Sequence, residues 1–430
     1  MSDIIIKSAQ ESRIWPSVRF SSEEDPVSSE FVRALAAQGR KILQEPGRFL
    51  PMAERIKLLS KWAARWRNPD SPWRRKARLL LPQTIRLSAP MIEKCIDLFF
   101  GPIKNEALYE LVQKLGGKQP QLVGHILPSN VLAASVESLI LEVALGNLSI
   151  VKASSRSPLF PLLIVESFTD MDVRLGQYVS LVCWKGGKKE LDKALAGGVD
   201  RLILYGTQET IGQIETFVSG RLELELRGPG FSVGIIEKEW ARKKDLSALA
   251  RKAACDVALY DQRGCLSLQT VFVERGGEFS PEEFAKELAK ALHGLEAKYP
   301  LGERTVREAA TNRIKKNTFL IRELSGENVF QDSDSLGRYG VLFEPQIRLD
   351  EPISGRLATV RPFTDISEIL RLLDRSEGGI QGLALPSLVS LDPWRDKDIV
   401  RVAEFGSLHS TSLGWQKFPF GRKNTSQGIL

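Results

Sequence analysis

The pattern of apolar and polar positions changes character near residue 119. Before that point the chain favours helices and loops, as in SSEFVRALAAQGRKILQ and MIEKCIDLFF. After it, short apolar runs alternate with amphipathic runs, in the order QLVGHIL, VLAASVESLILEVAL, LSIV, QYVSLVCW, KKELDKALAGG and RLILYG. Short apolar runs are typical of buried strands, and a period of about 3.6 residues is typical of helices. The alternation therefore predicts an α/β fold with a mostly parallel, doubly wound sheet.

A second series of helices and strands is predicted beyond residue 240. Its members are KKDLSALARKAACDVAL, LQTVFVE, PEEFAKELAKALHGLE, ERTVREAATNRIKKNTFLIREL, YGVLF, RLATVRPF, DISEILRLLDR and QGLALPS. The polar stretch 325–340 interrupts this series without any apolar period. Clusters of Ser, Asn, Asp and Gly mark loops, so we expect a mobile loop there.

Candidate chemistry stands at the ends of the predicted strands. Open parallel sheets bind ligands beyond the carboxyl ends of their strands. Asn130 follows the first strand of the alternation, Lys152 the second, and Gly206 with Thr207 follows RLILY. Thr207 opens a predicted helix, so its hydroxyl and the first amides of that helix could receive a phosphate. Because the run has neither GxGxxG nor the Walker lysine, an ordinary Rossmann or P-loop site is excluded.

Positive charge is concentrated in one segment. Of the 430 residues, 43% are apolar and 26% charged, which is typical of a globular protein, and the net charge is +7. Residues 55–81 hold nine Lys and Arg, one Asp and three Trp. Such a surface suits a nucleic acid, an anionic membrane or an acidic partner. The alternative is an amphipathic pair of helices whose basic face is solvated, and we favour it because no nucleic-acid-binding motif is present.

No membrane span and no leader are predicted. The most apolar long window carries Glu137 and Glu142 and is broken at Gly146, which is placed to end a helix. The start MSDIIIKSAQ lacks the basic patch and apolar stretch of a signal peptide. The four cysteines are far apart and form no CxxC pair, which excludes a disulfide framework and the usual zinc spacings. We expect a cytoplasmic protein and, with three scattered histidines, no metal site.

Cys265 differs from the other three cysteines. Cys95 and Cys255 lie within helical apolar patterns and Cys183 within a strand, as buried structural cysteines do. Cys265 follows the polar residues DQRG and precedes the strand LQTVFVE. A nucleophilic thiol needs partial exposure and a lowered pKa, conditions that a loop can provide. Its position leaves both interpretations open, a small buried hydrophobe or a nucleophile.

The stretch HILPSNVLAASVESLILEVALGNLSIVKASSRSP, followed by DQRGCLSLQTVFVE, resembles the aldehyde dehydrogenase superfamily. Within it, the chain is most similar to the acyl-CoA reductases of bacterial luminescence-type fatty-acid reductase complexes, the LuxC family. The resemblance covers about residues 119–410. It implies an aldehyde dehydrogenase-like fold with four regions: a helical N-terminal region (1–118), a nicotinamide-cofactor-binding domain (119–240), a catalytic cysteine domain (241–405) and a C-terminal tail (406–430).

The resemblance also implies roles for individual residues. Cys265 matches the catalytic thiol, and the Asn130 amide with the backbone N–H of Cys265 would form the oxyanion hole. Lys152 matches a lysine that contacts the adenosine ribose, while Gly206 and Thr207 match the turn and helix start that receive the pyrophosphate. Glu225 falls where hydrolytic members carry a general base; the alternative is an exposed residue of an alternating strand, with Glu223 on the same face.

The cofactor and substrate follow from the same resemblance. Many members that prefer NAD have a glutamate at the position of Ser155, and a serine beside Arg156 could accept a 2′-phosphate. We therefore predict NADPH, with NADH as the alternative. The predicted function is reduction of a fatty acyl-CoA or acyl thioester to an aldehyde through acyl-Cys265, with an acyl-transferring protein partner and a homo-oligomer as further expectations.

Other functions stay open at this point. One alternative is oxidation of an aldehyde to an acid by Cys265 and Glu225, and reduction of an acyl phosphate is less favoured because its cysteine loop usually differs from DQRGC. The alternative from another class is a non-catalytic protein of the same fold that binds a partner through residues 55–81.

Overall fold

A computed structural model describes residues 15–22, 26–45, 47, 49–117, 119–218, 220, 222–228, 230–375, 379–389 and 391–415. The helices are α1 (Ser29–Leu43), α2 (Met52–Arg67), α3 (Pro72–Leu80), α4 (Pro82–Ile85), α5 (Ala89–Phe100), α6 (Asn105–Leu115), α7 (Glu137–Leu145), α8 (Leu159–Met171), α9 (Val173–Gly176), α10 (Lys189–Gly198), α11 (Gln208–Glu215), α12 (Leu246–Ala258), α13 (Pro281–Lys298), α14 (Val306–Leu324) and α15 (Ile366–Asp374). No helix of these ranges has both the length and the apolar content that crossing a membrane requires.

A first sheet has six strands, all paired in parallel. They are β1 (Val18–Phe20), β2 (Leu122–Ile126), β3 (Leu148–Ser154), β4 (Val179–Trp184), β5 (Arg201–Tyr205) and β6 (Glu223–Arg227). Their order across the sheet is β1-β4-β3-β2-β5-β6. The chain proceeds from β2 to β3 and β4 on one side, then returns to β5 and β6 on the other. This reversal of strand order confirms the predicted doubly wound arrangement.

A second sheet has seven strands. They are β7 (Phe231–Ile236), β8 (Leu268–Glu274), β9 (Phe330–Ser333), β10 (Gly340–Phe343), β11 (Leu357–Phe363), β12 (Ile380–Leu385) and β13 (Ile399–Glu404), in the order β13-β12-β7-β8-β11-β10-β9. All pairs are parallel except β9 with β10. Val271 and Val273 face one apolar cluster and Phe272 faces another. Both faces of the sheet are therefore buried, which explains why β8 reads as a continuous apolar run.

The chain forms two compact units. Unit 1 takes its described residues from 1–85, 99–229 and 412–414, and unit 2 takes them from 86–98, 230–411 and 415–430. The expected division at 118/119, 240/241 and 405/406 differs from this one. Unit 1 takes residues from both sides of 118/119, and the change of unit falls at residue 230, where β7 pairs with β8 and β12 of the second sheet. The four expected regions stay a prediction. Residues 416–430 of the expected tail, like the start of the chain, lie outside the described residues.

Four strands were not predicted: β1, β7, β9 and β13. β1 is three residues long, β13 follows a short irregular stretch, and β9 falls in 325–340, where we expected a mobile loop. β9 pairs with β10, with Phe330 opposite Phe343 at one end and Ser333 opposite Gly340 at the other. Its only large apolar side chain, Phe330, stacks on Phe343 at a centroid distance of 5.3 Å. A strand is predicted from apolar residues that repeat along the chain, and this polar segment has one aromatic residue only. The pattern therefore gives no sign of this edge strand.

The basic segment forms the expected pair of helices, α2 and α3. Trp62 and Trp66 are buried, and both indole N–H groups donate to the Ser167 hydroxyl, at 2.8 and 3.1 Å. Three of the arginines donate to main-chain carbonyls: Arg55, Arg67 and Arg74. Six basic side chains are exposed: Lys57, Lys61, Arg65, Arg75, Lys76 and Arg78, of which Arg65 pairs with Asp170 and Lys76 with Glu166. Part of the positive charge therefore stabilises the helices, and the rest is solvated.

Candidate active site

Cys265 lies in a turn between a short 3-10 helix (Leu259–Gln262) and β8. It is partly exposed, whereas Cys95 and Cys183 are buried. Burial raises the pKa of Cys183 to about 11, and burial also raises the pKa of Cys95 and of Cys255. A thiol with a raised pKa is a poor nucleophile at neutral pH. The three other cysteines are thus structural, and Cys265 is the candidate nucleophile.

The backbone before Cys265 adopts a rarely populated conformation. Tyr260, Asp261 and Gln262 have φ values of 56°, 52° and 61°. Non-glycine residues in this left-handed region cost about 1–3 kcal/mol each when the surroundings must hold them there. All three side chains are buried. Their partners must therefore hold the turn in place.

Asp261 is fixed by an ion pair. The Arg356 guanidinium donates to its carboxylate at 3.1 and 2.6 Å, and the Gly302 N–H donates to it at 3.0 Å. Arg356 also donates to Glu296 at 2.7 Å, and the Arg356 and Asp261 side chains are fully buried. A charge-assisted network of this kind is strong while complete, and removal of one member leaves an uncompensated buried charge.

Gln262 and Arg263 bind three other segments of unit 2. The Gln262 amide donates to the carbonyls of Leu268 and Leu357 at 2.9 and 3.0 Å, and it accepts from the Leu357 N–H at 2.7 Å. It therefore joins the starts of β8 and β11. Arg263 donates to Glu308 at 3.1 Å and to the main-chain carbonyl of Arg86 at 2.9 Å.

Two hydroxyl groups close the turn around the cysteine. Ser267 accepts from the Gly264 N–H at 3.2 Å, and its own N–H donates to the Gly264 carbonyl at 3.0 Å. Ser232 of β7 donates to the Cys265 carbonyl at 2.9 Å. Asp261, Gln262 and Ser267 thus orient the main chain on both sides of the cysteine, which gives the DQxxCxS pattern a structural explanation.

The residues expected to bind a cofactor lie in unit 1, at the carboxyl ends of neighbouring strands. β3, β2 and β5 are adjacent in that order. Asn130 lies beyond β2 and is exposed, and so are Ser155 and Arg156 beyond β3. Thr207, beyond β5, caps α11, with its hydroxyl accepting from the Thr210 N–H at 3.3 Å. The structure thus brings these residues to one sheet edge, at the point where strand order reverses and open α/β sheets bind ligands.

Gly206 and Lys152 have tighter surroundings at the same edge. A Cβ atom on Gly206 would lie 3.0 Å from the Thr210 side chain, so a larger residue would crowd the start of α11. Lys152 is 7% exposed, and burial lowers its pKa while Asp192 and Cys183 oppose the change. Its ammonium lies 6.0 Å from the Trp184 ring centroid. Lys152 is therefore held close to the sheet.

Glu225 is held by ion pairs inside unit 1. Arg227 donates to its carboxylate from Nε at 2.9 Å and also from Nη2, and Arg201 lies 3.8 Å away. Arg227 is in turn paired with Glu137 at 3.2 Å. Glu225 is half-buried and Glu223 exposed, so the alternating strand has one bound and one solvated carboxylate. A carboxylate bound in this way is poorly prepared to take a proton from water.

The structure places the predicted residues in two groups. Cys265 belongs to unit 2, and Asn130, Lys152, Ser155, Arg156, Gly206, Thr207 and Glu225 belong to unit 1. The catalytic and cofactor-binding roles implied by the resemblance stay predictions, including the oxyanion hole of Asn130 and Cys265. Sequence reasoning missed the anchoring residues Arg356 and Glu296, since no local pattern connects them to Cys265. Within the described residues, no group of three or more His, Cys, Asp or Glu side chains is arranged to hold a metal ion.

Three comparisons bear on the family and the fold. The model of the family described as acyl-CoA reductase (LuxC) matches residues 117–417. Two similar proteins are long-chain acyl-protein thioester reductase 2 of Photobacterium leiognathi, 24% identical over 67% of this chain, and the long-chain acyl-protein thioester reductase of Aliivibrio fischeri, 27% identical over 69%. The matched regions cover 58% and 60% of those two proteins, so the chain spans about three fifths of their length.

Solved structures of similar fold include aldehyde dehydrogenases. KauB of Pseudomonas aeruginosa superposes with a TM-score of 0.68 at 19% identity, covering 86% of this chain and 80% of that one. The NADP-dependent glyceraldehyde-3-phosphate dehydrogenase of Bacillus halodurans C-125, in complex with NADP, gives 0.66 at 17% identity, covering 88% and 83%. At these identities the likeness shows the fold, and it confirms the expected aldehyde dehydrogenase-like architecture.

Proposed function

Because the chain belongs to the acyl-CoA reductase (LuxC) family, we propose that it reduces a long-chain fatty acyl thioester to the aldehyde through an acyl-Cys265 intermediate. The observation that carries the proposal is the turn of Cys265. Cys265 is partly exposed, while three preceding residues in left-handed conformation are held by buried partners. Backbone strain that the surroundings enforce beside a cysteine is typical of a functional site rather than of packing.

The chemistry assigned to Cys265 is acyl transfer. The thiolate attacks the thioester carbonyl, the carbon–sulfur bond of the carrier thiol breaks, and the acyl group remains on Cys265. The tetrahedral oxyanion needs N–H donors, for which we propose the Asn130 amide and the Cys265 main chain. Loss of one such donor typically lowers the rate about 100- to 1,000-fold. After reduction of the acyl-thioester, the carbon–sulfur bond to Cys265 breaks, releasing the aldehyde and restoring the thiolate.

The first sheet fits a dinucleotide cofactor. Its strand order reverses between β2 and β5, and the residues at this edge include one lysine, one arginine and several hydroxyl groups. We propose that Lys152 contacts the ribose, that Gly206 and Thr207 receive the pyrophosphate, and that Ser155 and Arg156 bind a 2′-phosphate, which favours NADPH over NADH. When bound, the nicotinamide supplies the hydride.

The substrate carrier and the assembly state are further parts of the proposal. The relatives in Photobacterium and Aliivibrio are named for acyl-protein thioesters, whereas the family description names acyl-CoA. We propose that either thioester can acylate Cys265, directly or through an acyl-transferring protein. We also propose a homo-oligomer, as the resemblance implies, and a cytoplasmic location, which the four widely separated cysteines favour.

The alternatives have less support. Oxidation of an aldehyde to an acid needs a general base that activates water, and Glu225 is bound to Arg227 instead. A non-catalytic protein that binds a polyanion through residues 55–81 would need a free basic surface. Arg55, Arg67 and Arg74 are bound to main-chain carbonyls, which reduces the available charge.

A labelling experiment tests the proposal. The protein is mixed with a labelled long-chain acyl-CoA without cofactor, and then NADPH is added and the products are identified. We expect a covalent acyl label that is discharged as aldehyde when NADPH is consumed. Cys265→Ala should show neither event, and Cys255→Ala, which removes a partly buried cysteine of α12, should behave like the wild type.

Three outcomes would contradict the proposal. They are an unlabelled wild type with both acyl-CoA and acyl-protein, undiminished turnover in Cys265→Ala, and fatty acid as the product. Fatty acid would instead favour the hydrolytic alternative with Glu225.

A further inference from the structure

A buried imidazole contacts both ends of the turn that carries Cys265. His409 follows β13 and is 8% exposed. Its ring lies 5.2 Å from the ring of Tyr260, at the beginning of the turn. Its Nε2 lies 3.5 Å from the hydroxyl of Ser267, at the end of the turn. All of these residues belong to unit 2, and no step of the proposed reaction uses the imidazole.

The hydrogen-bond directions follow from the state of the ring. Burial lowers the pKa of His409 to about 4, and the nearby Arg401 charge adds to this effect, so the imidazole is neutral at physiological pH. The ring also hydrogen-bonds the main chain of Asp256, and because Nε2 faces Ser267 we assign that bond to Nδ1. A neutral ring that donates from Nδ1 accepts at Nε2. The Ser267 hydroxyl can therefore donate to His409 while its oxygen accepts from the Gly264 N–H at 3.2 Å.

The segment that carries His409 is fixed independently of the cysteine turn. The Asp256 carboxylate accepts from the N–H groups of Gly406 and Leu408, at 2.6 and 3.1 Å. The Arg401 guanidinium donates to the carbonyls of Ser407, Leu408 and Ser410, each at 3.0 Å. His409 thus presents its ring from a rigid support.

Ser267 has a second acceptor within reach. The Leu259 carbonyl lies 3.4 Å from the Ser267 hydroxyl, close to the 3.5 Å of the imidazole nitrogen. A hydroxyl has one proton, so the two acceptors share it and neither bond is short. Removal of the imidazole would leave Ser267 with the Leu259 carbonyl as its acceptor and open space beside Tyr260.

We propose that His409 is a positioning residue for Cys265, which acts by accepting a hydrogen bond from Ser267 and so fixes the Gly264–Ser267 turn. This role refines the proposed reaction and rests on it for the catalytic consequence. The effect on the thiol itself does not depend on the reaction, because any electrophile reports how the turn presents Cys265.

Three substitutions at one position separate the hydrogen bond from simple filling of space. His409→Ala removes both contacts, His409→Phe keeps an aromatic ring beside Tyr260, and His409→Gln keeps an acceptor near the position of Nε2. His293→Ala is the matched control, since His293 is exposed and bonds Tyr339 at 3.2 Å elsewhere in unit 2. The readouts are the alkylation rate of Cys265 by iodoacetamide, located by peptide mapping, and kcat and KM for acyl-CoA reduction.

We expect His409→Ala and His409→Phe to lower kcat about tenfold, with KM within about threefold, because small misplacements of a reacting group are costly. The alkylation rate of Cys265 should fall in the same two variants. His409→Gln should recover most of the wild-type alkylation rate and most of the wild-type kcat. Wild-type alkylation and kcat in His409→Phe would overturn the proposal, as would failure of His409→Gln to recover either. If His409→Ala does not fold, the Phe and Gln variants still decide. If the wild type reduces no thioester, the alkylation series decides alone.

Discussion

The turn around Cys265 and the turns beyond β2, β3 and β5 are built from different interactions. In the first, Asp261 and Gln262 are buried and bound to partners about 40 to 95 residues away in sequence. In the second, Asn130, Ser155 and Arg156 stand in solvent at the edge of a parallel sheet. A proposed nucleophile must be held in one geometry to form its covalent bond, whereas a proposed dissociable cofactor must enter and leave. The difference suggests that substitutions in the first region affect stability and that those in the second affect binding.

Loss of the buried arginine should have the largest effect. Arg356→Met leaves the carboxylates of Asp261 and Glu296 buried without their cation, and breaking such a network costs about 3–5 kcal/mol. We expect the free energy of unfolding, measured with urea, to fall by that amount and Cys265 to lose selective alkylation. Arg395→Ala removes an exposed ion pair with Asp392 and should change the free energy of unfolding by less than about 1 kcal/mol. If both variants lowered the free energy of unfolding equally, the buried ion pair of Arg356 would be no more important for stability than the exposed one of Arg395.

Two buried groups near the cysteine turn should give opposite dependences of stability on pH. Burial raises the pKa of Asp256 to about 7, so the folded state holds a proton that the unfolded state releases, and stability falls as pH rises from about 4 to 7. Burial lowers the pKa of His409 to about 4, so the unfolded state holds the extra proton, and stability rises between about pH 4 and 6.5. The two trends largely cancel in the wild type.

Substitution of either group should expose the other trend. We expect the stability of Asp256→Asn to rise with pH over this range and that of His409→Gln to fall, each by up to a few kcal/mol, at about 1.4 kcal/mol per unit of pKa change. Urea unfolding at a series of pH values measures both. Parallel curves for the two variants and the wild type would show that neither group titrates as described.

At the sheet edge the expected effect is on binding. Ser155→Glu places a carboxylate where we propose the 2′-phosphate, and repulsion should raise KM for NADPH by about tenfold or more while leaving KM for NADH nearly unchanged. Because Ser155 is exposed, the urea midpoint should stay within the range of an ordinary surface substitution. An unchanged ratio of the two KM values would place the adenosine ribose elsewhere.

The smallest effect is expected at Glu225. If its carboxylate only pairs with Arg227, Glu225→Gln should change reductase turnover by less than about threefold, since an amide still accepts a hydrogen bond from Arg227. Glu223→Gln, on the same face of β6 but exposed, is the matched control. A loss of about 100-fold or more, as for a removed general base, would give Glu225 a catalytic role.

The sequence predicted much of the fold and the gathering of residues at the strand ends of the first sheet. Apolar periodicity predicted β2 to β5, most of the helices and the parallel order, because each element buries a regular face. Gly146 ends α7 as predicted, with φ at 92°. β1 and β9 were missed because they have only three and four residues, and β7 and β13 were also not predicted.

The support of the cysteine turn could not be predicted in the same way. Polar residues before Cys265 predicted a loop, yet the structure buries Asp261 and Gln262 completely. Their partners Arg356 and Leu357 lie 95 residues further along the chain, and a local pattern contains no information about such pairings. Arg356 itself has a φ of 61°, so two strained segments stabilise each other.

The amide of Gln262 has a genetic consequence. A single base substitution at the first codon position converts glutamine to glutamate, a change of almost no volume that ordinary similarity scores regard as mild. Here it would replace the N–H donor that faces the carbonyl oxygens of Leu268 and Leu357 with a buried carboxylate oxygen, which would repel both carbonyl oxygens. Selection should therefore remove this variant as readily as a truncation, although neither hydropathy nor size would identify it as harmful.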